Sequence, residues 1–256
     1  MSDITTKSTR LSETVVGGEF KPLGPSPHYV GDEIIVMRCA ETIAEVFSDW
    51  AKRSKIDENS YVPFDVNSPI ELPRRPTMLK AYTLDPPITE TGKIASKMMA
   101  RERCDRRAVP SVIFCSPDFA SVETAHLIHS YIGENQACDI DKKAPLAPVA
   151  EGVTLVDLVG RVKRAYYELT SKVENALFVV DPLSIMIISS LFYPVHIRVE
   201  SSLELERLRS HSQFPPLCNV TAYRAGGSDG VKMHDLTNTC LRPLTFSGFS
   251  NEIELD

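Results

Sequence analysis

The feature that most constrains the fold is a pattern that recurs along the chain. In this pattern a short apolar run ends at polar residues and is followed by a segment with helical periodicity. Such runs occupy residues 33–37, 111–115 and 176–180. Continuous apolar runs of this length are typical of strands that are covered on both faces. Their alternation with helices predicts an α/β fold, with a mostly parallel central sheet and helices on both faces.

The remaining elements follow from periodicity and from turn residues. Helices are predicted at 41–51, 87–103, 118–132, 155–173, 184–191 and 200–210, and further strands at 145–149, 218–223 and 231–236. The last two strands flank a glycine-rich turn and are expected to pair with each other. Thr89 is expected to cap the second helix, with Glu90 favourable at the positive helix start.

The chain is expected to form one domain with two irregular segments. A length of 256 residues with 43% hydrophobic residues suffices for one large α/β domain, which we assign to 31–256. Residues 1–30 are rich in Ser, Thr, Gly and Pro without a sustained period, which predicts a mobile N-terminal arm. Residues 52–84 show no helical period and are predicted to form a Pro-rich excursion over the surface. Its prolines are Pro63, Pro69, Pro73 and Pro76.

Charge and hydropathy exclude several classes of protein. The formal net charge is −6, from 28 basic and 34 acidic residues, which argues against a surface that binds nucleic acid throughout. No segment approaches the roughly 20 apolar residues of a membrane span. The first residues lack the apolar run of a signal peptide. We therefore expect an intracellular protein, in the cytoplasm with the nucleus left open.

The cysteines and histidines show no metal or disulfide pattern. The six cysteines are scattered and none forms a CxxC pair, so we expect reduced and mostly buried thiols. His126 and His129 form a close pair, but no carboxylate completes a metal site at helical spacing. We expect them to lie on a helix surface, and we expect no cofactor or metal.

The turn after the first strand is the candidate functional site, because ligands of open α/β sheets bind at the carboxyl ends of strands. Its residues are Arg38, Cys39, Ala40 and Glu41. They offer one cation, one thiol and one carboxylate, and the central question is whether this set supports catalysis.

Several segments, taken in order, carry a family resemblance. They are Arg38-Cys-Ala-Glu41 with Val46, Phe47 and Trp50; Asn67-Ser-Pro69 with Leu72-Pro73-Arg74; Pro87-Ile88-Thr89 with Gly92; Phe114-Cys-Ser-Pro117 with Val122, Thr124, Ala125 and His126; and the run 176–184. They resemble the histidine phosphatase (phosphoglycerate mutase-like) superfamily over roughly residues 33–250. The most similar branch is the C-terminal phosphatase domain of the suppressor of T-cell receptor signalling proteins. The resemblance implies a three-layer sandwich and, from that branch, a homodimer.

The resemblance also implies which positions would carry the chemistry. The family uses a nucleophilic histidine, two arginines and a second histidine that hold the phosphate, and a carboxylic acid that protonates the leaving group; the logic is positioning plus charge neutralisation. The corresponding positions here are Arg38 for the first arginine, Cys39 for the nucleophile, Ala120 for the second arginine, Pro182 for the second histidine and Glu151 for the acid.

The charges of the predicted pocket disfavour a phosphate. Arg38 is its one firm cation, and it faces Glu41, Glu151 and, if the alignment shifts by one residue, Asp181. A carboxylate ~4 Å from a phosphate oxyanion costs about 4 kcal/mol at an effective dielectric constant near 20, and one arginine offsets roughly one such penalty.

We therefore expect a catalytically inactive histidine-phosphatase-like protein that acts as a protein–protein interaction or scaffold module and forms homodimers. The N-terminal arm and the Pro-rich excursion are the best candidates for partner contacts. A thiolate mechanism is not expected, because cysteine phosphatases carry an arginine six residues after the cysteine, and here Glu45 follows Cys39 at that spacing.

Two alternatives stay open. The first is a residual phosphatase or hydrolase that uses Cys39 or Glu151. The second is a binder of a phosphorylated or acidic partner through Arg38, with Arg74 and Arg75 in support. Binding of RNA would require a local basic patch.

Overall fold

A central sheet organises the chain, and most of its strands lie where the apolar runs predict them. The computed structural model describes residues 33–105, 108–133, 139–142, 155–171, 173–191, 214–224 and 231–233. The strands are β1 (Glu33–Arg38), β2 (Val112–Cys115), β3 (Asp139–Lys142), β4 (Ala176–Val180), β5 (Asn219–Arg224) and β6 (Val231–Met233). The helices are α1 (Ile43–Val46), α2 (Trp50–Arg53), α3 (Met78–Leu84), α4 (Glu90–Asp105), α5 (Phe119–Gly133), α6 (Leu155–Thr170) and α7 (Pro182–Ser189).

The topology of the sheet brings three strand ends together. Within the described residues the strand order is β3-β2-β4-β1-β5-β6. The first four strands in this order run parallel to their neighbours, whereas β5 is antiparallel to both β1 and β6. Arg38 at the end of β1 is paired in register with Val180 at the end of β4, and Cys115 of β2 with Val179. The predicted mostly parallel sheet is confirmed, and β1, β2 and β4 end at one edge.

Helices cover both faces of the sheet. Successive side chains of a strand point to opposite faces. Ile34 and Val36 of β1 join an apolar cluster with α6 and α7, whereas Ile35 and Met37 join a cluster with α4 and α5. Each of these side chains is buried, and burial of one large aliphatic side chain stabilises the fold by about 1.5–3 kcal/mol. The predicted helices on both faces are therefore confirmed.

The prediction of one continuous helix at 41–51 is wrong. The chain forms the two short helices α1 and α2 instead, because the backbone is extended at Phe47 (φ -128°, ψ 97°). Ile43, Phe47 and Trp50 are nevertheless buried in one cluster. The apolar spacing is satisfied by either arrangement, so the spacing does not reveal the break.

The Pro-rich excursion at 52–84 contains a helix that its sequence pattern does not predict. Met78 and Tyr82 lie one turn apart in α3 and pack into the same cluster as Trp50. The helix starts directly after Thr77, whose backbone is left-handed (φ 49°). A seven-residue helix behind such a break is too short to show a period in the sequence.

The structure contains one strand that the sequence pattern does not predict, and several predicted elements fall outside the described residues. The strand next to β2 is β3, at the edge of the sheet, where an uninterrupted apolar run is not required. The strand predicted at 145–149, the helix predicted at 200–210 and the N-terminal arm lie outside the described residues. In the part of the chain that the structure describes, no helix has the length and apolar character to cross a membrane.

The start of α4 is tied to the turn that follows β1. Thr89 caps the helix as predicted, since its hydroxyl accepts the N–H of Gly92 (2.9 Å). Thr89 also donates its N–H to the carbonyl of Glu41 (2.9 Å) and its hydroxyl to the Glu41 carboxylate (3.1 Å). A Cβ on Gly92 would lie 3.0 Å from the Glu41 carbonyl oxygen and 3.3 Å from the Cβ of Ala40. Glycine at this position allows the helix and the turn to pack closely.

Substitution of Gly92 tests this contact. Gly92→Ala is expected to lower the free energy of unfolding by roughly 1–3 kcal/mol, because the added methyl group displaces the Glu41 backbone. Gly160→Ala in α6 is the matched control, since no neighbouring element among the described residues lies within 4 Å of its Cβ position. Alanine there should stabilise the helix by about 0.5–1 kcal/mol. Urea denaturation of both variants measures the difference, and equal stabilities would contradict the close packing.

Candidate functional site

The residues that follow β1, β2 and β4 meet at the carboxyl edge of the sheet. Cys39 donates its N–H to the carbonyl of Val180 (2.8 Å), and Ser116 donates its N–H to the carbonyl of Val179 (2.9 Å). The predicted acid, Glu151, lies outside the described residues. The other four positions that the resemblance singles out lie at or just after these strand ends. Arg38 is the last residue of β1 and Cys39 follows it, whereas Ala120 lies in the first turn of α5 and Pro182 is the first residue of α7.

Arg38 is buried and bound within the protein. Only 3% of the residue is exposed. Its guanidinium donates to the carbonyl of Phe214 (2.6 Å) and forms an ion pair with the carboxylate of Glu45 in α1. Glu45 also accepts the N–H of Thr42 (2.9 Å), so its carboxylate is held at the start of the helix. The positive charge of Arg38 is therefore largely neutralised by the chain itself.

Cys39 occupies the predicted nucleophile position as a neutral thiol. The residue is 2% exposed, and burial raises the pKa of its thiol to about 12. The negative charge of Asp118 adds to this rise, whereas Arg38 opposes it. A thiol needs a lowered pKa to act as a nucleophile near neutral pH. The surroundings of Cys39 shift its pKa in the opposite direction.

Two helices begin at this edge, and each is capped by an aspartate. Asp118 accepts the N–H of Ser121 (2.9 Å) at the start of α5. Asp181 accepts the N–H groups of Leu183 (2.9 Å) and Ser184 (3.0 Å) at the start of α7. Helix N-termini attract anions because of their free N–H groups and the helix dipole. Carboxylates of the protein itself satisfy these N–H groups.

Asp118 is in an unfavourable position for a charge. Burial raises the pKa of its carboxyl group to about 7, with the charge of Asp181 as the next cause, whereas hydrogen bonds from Ser121 oppose the rise. Its Oδ1 atom is buried and has no hydrogen-bond partner among the described residues. A further negative charge is therefore disfavoured at the edge of the sheet where the resemblance places a phosphate.

Two of the remaining predicted positions, Ala120 and Pro182, supply no charge at this edge. Ala120 is 4% exposed and packs in the same apolar cluster as Cys39, and Pro182 is the first residue of α7. On the Pro-rich excursion, Arg74 is exposed, whereas Arg75 pairs with the carboxylate of Asp85 (2.9 Å).

The histidine pair lies on α5, with His126 exposed and His129 half-buried. Within the described residues, no three His, Cys, Asp or Glu side chains are arranged to hold a metal ion.

Sequence reasoning missed two residues of this edge, Asp118 and Glu45. Asp118 follows Ser116-Pro117 directly before a helix, which is a recognisable N-cap position. Glu45 stands three residues after Thr42, which is the spacing of a capping box. Both signals predict a helix start, but neither predicts that the same carboxylates face Cys39 and Arg38.

Comparisons with known proteins identify relatives of part of the chain. No family model matches the sequence. Over 96 residues, 37% of this chain, the sequence is 30% identical to ubiquitin-associated and SH3 domain-containing protein A of Homo sapiens, of which it covers 14%. Over 97 residues, 38% of this chain, it is 24% identical to the ecdysteroid-phosphate phosphatase of Drosophila melanogaster, of which it covers 13%. The chain spans about one seventh of these curated relatives.

A solved structure shares the architecture of most of the chain. The crystal structure of the ecdysone phosphate phosphatase of Bombix mori in complex with tungstate superposes with a TM-score of 0.58. The match covers 80% of this chain and 98% of that chain at 13% sequence identity. Similarity at this level of identity establishes the fold and leaves the chemistry to be argued from the residues.

The raised pKa of Cys39 predicts low reactivity. With a pKa of about 12, about one thiol in ten thousand is ionised at pH 8. Cys39 should therefore resist iodoacetamide in the folded protein and react readily in urea, as peptide mapping by mass spectrometry measures. Cys104 is the internal control and should react before Cys39, because it is only partly buried although the pKa of its thiol is raised as well. Faster alkylation of Cys39 than of Cys104 in the native state would contradict its neutral, buried condition.

The raised pKa of Asp118 predicts a pH-dependent stability. The folded protein holds this proton more tightly than the unfolded chain, so the contribution of Asp118 is present at acidic pH and is lost as the pH rises towards about 7. Asp118→Asn keeps a helix cap without the charge. It should stabilise the protein relative to wild type by roughly 1–3 kcal/mol at about pH 8, and by less at about pH 5.

Asp57→Asn is the control for this pH dependence. Asp57 lies outside the edge of the sheet, and backbone and side-chain hydrogen bonds lower the pKa of its carboxyl group. Its substitution should therefore have the same effect on the melting temperature at both pH values. An Asp118→Asn effect that does not change with pH would show that Asp118 carries no raised pKa.

Proposed function

Because the chain is related in sequence to the histidine phosphatase superfamily and has its fold, we propose that it is a catalytically inactive relative that works through protein–protein contacts. The observation that carries this proposal is Cys39 at the position of the nucleophilic histidine. The residue is a buried thiol whose pKa is raised to about 12. A neutral thiol at the end of β1 cannot form the phosphoenzyme that the resemblance implies for the family.

The charges at the edge of the sheet support the same conclusion. Ala120 and Pro182 stand where the resemblance places the second arginine and the second histidine. Asp118 and Asp181 bring carboxylates to the helix starts instead. One carboxylate ~4 Å from a phosphate oxyanion costs about 4 kcal/mol. Arg38 offers little compensation, since its charge is already paired within the protein.

The two alternatives have less support. An enzyme that uses Cys39 requires the thiolate, which burial and Asp118 oppose. A role of Glu151 as a proton donor is a separate hypothesis about a residue outside the described part. Anion binding through Arg38 requires its ion pair with Glu45 to break, and leaves a carboxylate beside the bound anion.

We propose protein partners and a homodimer as the working state of this chain. The resemblance to a branch that forms homodimers supports the dimer. The excursion at 52–84 supports partner contacts, since it is held in place by the buried Tyr82 yet exposes Val66 and Ile70. A cytoplasmic location is part of the proposal, and the free state of the cysteines within the described residues is consistent with it.

An assay of phosphatase activity tests the loss of catalysis. The protein is expected to hydrolyse p-nitrophenyl phosphate no faster than its Cys39→Ala variant, because neither provides a nucleophile. The Bombix mori phosphatase, assayed in parallel, is the positive control. Tungstate should raise the melting temperature of that enzyme and leave that of this protein unchanged. A rate that depends on Cys39 would contradict the proposal, as would stabilisation by tungstate.

A further inference from the structure

Three large aliphatic side chains project into solvent around the start of α4. The exposed fractions are 97% for Val66, 74% for Ile70 and 60% for Ile94. Single exposed apolar residues are ordinary on protein surfaces, but a group of them on one fixed surface is typical of an interaction site. We refer to Val66, Ile70 and Ile94, with the charged residues beside them, as the 66–94 surface.

Hydrogen bonds hold the 66–94 surface in one conformation. Asn67, directly after Val66, accepts the first two N–H groups of α4 through its backbone and side-chain oxygens (3.2 and 2.8 Å). Ile70 donates its N–H to the carboxylate of Glu90 (3.2 Å). Ile94 lies one turn after Glu90 on the same face of the helix. These bonds tie the loop that carries Val66 and Ile70 to the helix that carries Ile94, so little further ordering of the backbone is needed on association.

Exposed charges of opposite sign adjoin these apolar residues along the loop and along the helix. Glu71 follows on the loop, and Lys97 lies one turn beyond Ile94 on α4. Both side chains are exposed, and within the described residues neither takes part in an ion pair. The nearby charges of Lys93 and Glu90 satisfy each other (2.7 Å). The surface therefore carries an acidic group beside Ile70 and a basic group beside Ile94.

We propose that the 66–94 surface is the contact between two copies of this chain. A two-fold contact uses the same patch on both subunits, so the patch must be complementary to itself. An apolar centre between Glu71 and Lys97 meets this requirement, because a two-fold rotation brings Glu71 of one copy to Lys97 of the other. A partner that carries one sign of charge would match only half of the surface. The inference rests on the homodimer proposed above and assigns that dimer its surface.

Charge reversal tests the self-complementary arrangement. Glu71→Lys and Lys97→Glu each place like charges opposite one another twice in the dimer. Each is expected to raise the dissociation constant of the dimer about tenfold or more, as measured by analytical ultracentrifugation. The double variant restores both pairs and should regain the wild-type constant. An equimolar mixture of the two single variants should form heterodimers, because both opposite-charge pairs are restored between them.

Substitution of the apolar centre provides an independent test. Ile94→Asp is expected to give a monomer. Tyr167→Asp, at a 58% exposed position of α6 on the other face of the sheet, is the matched control and should leave the dimer intact. Circular dichroism and melting temperatures establish that each variant is folded.

The outcomes distinguish a failure of the proposed homodimer from a failure of the surface assigned to it. A monomeric wild-type protein would contradict the proposed homodimer and, with it, this inference. A wild-type dimer that survives both charge reversals and Ile94→Asp would contradict only the assignment of the surface. Recovery of association in the double variant and in the mixture supports the assignment, because general damage to the fold cannot be repaired by mixing two damaged proteins.

Discussion

The strand β1 is enclosed on every side, and the rest of the domain depends on this enclosure. Its backbone pairs with β4 and β5, and its side chains enter apolar clusters on both faces of the sheet. The turn that follows is buried as well, from Arg38 to Glu41. A charge placed in this turn leaves water and must be paired inside the protein. The pairing of Arg38 with Glu45 and the neutral state of Cys39 are two consequences of that single constraint.

At the carboxyl edge of the sheet, carboxylates of the chain itself bind N–H groups at helix starts that are suited to binding an anion. N–H groups at the starts of α5 and α7 form bonds to carboxylates of the chain, from Asp118 and Asp181. Burial limits the solvation of Asp118 and the charge of Asp181 repels it, and both effects raise the pKa of Asp118. The starts of α5 and α7 therefore accept carboxylates of the chain, and a further negative charge beside them is disfavoured.

The predictable part of this structure is the part that apolar spacing determines. The run 176–180 matches β4 residue for residue, because a strand buried on both faces needs an uninterrupted apolar sequence. The helix α3 is not predicted, because a helix of seven residues that follows an irregular backbone at Thr77 is too short to show helical periodicity. The positions of Arg38 and Cys39 follow from strand ends, but the pairing of Arg38 with Glu45 does not. It depends on how the chain turns between β1 and α1, where Thr42 and Glu45 form a capping box, and the spacing of apolar residues does not determine that turn.

The capping aspartates also bear on how such a chain can change over evolutionary time. Cys39→His alone would bring an imidazole to an edge that still carries Asp118 and Asp181 and has no arginine at position 120. Asp118→Asn would keep the helix cap, whereas a side chain that cannot cap at position 118 or 181 would weaken the fold. A phosphate site at this edge would therefore require coordinated substitutions at several positions, each of which leaves the starts of α5 and α7 capped.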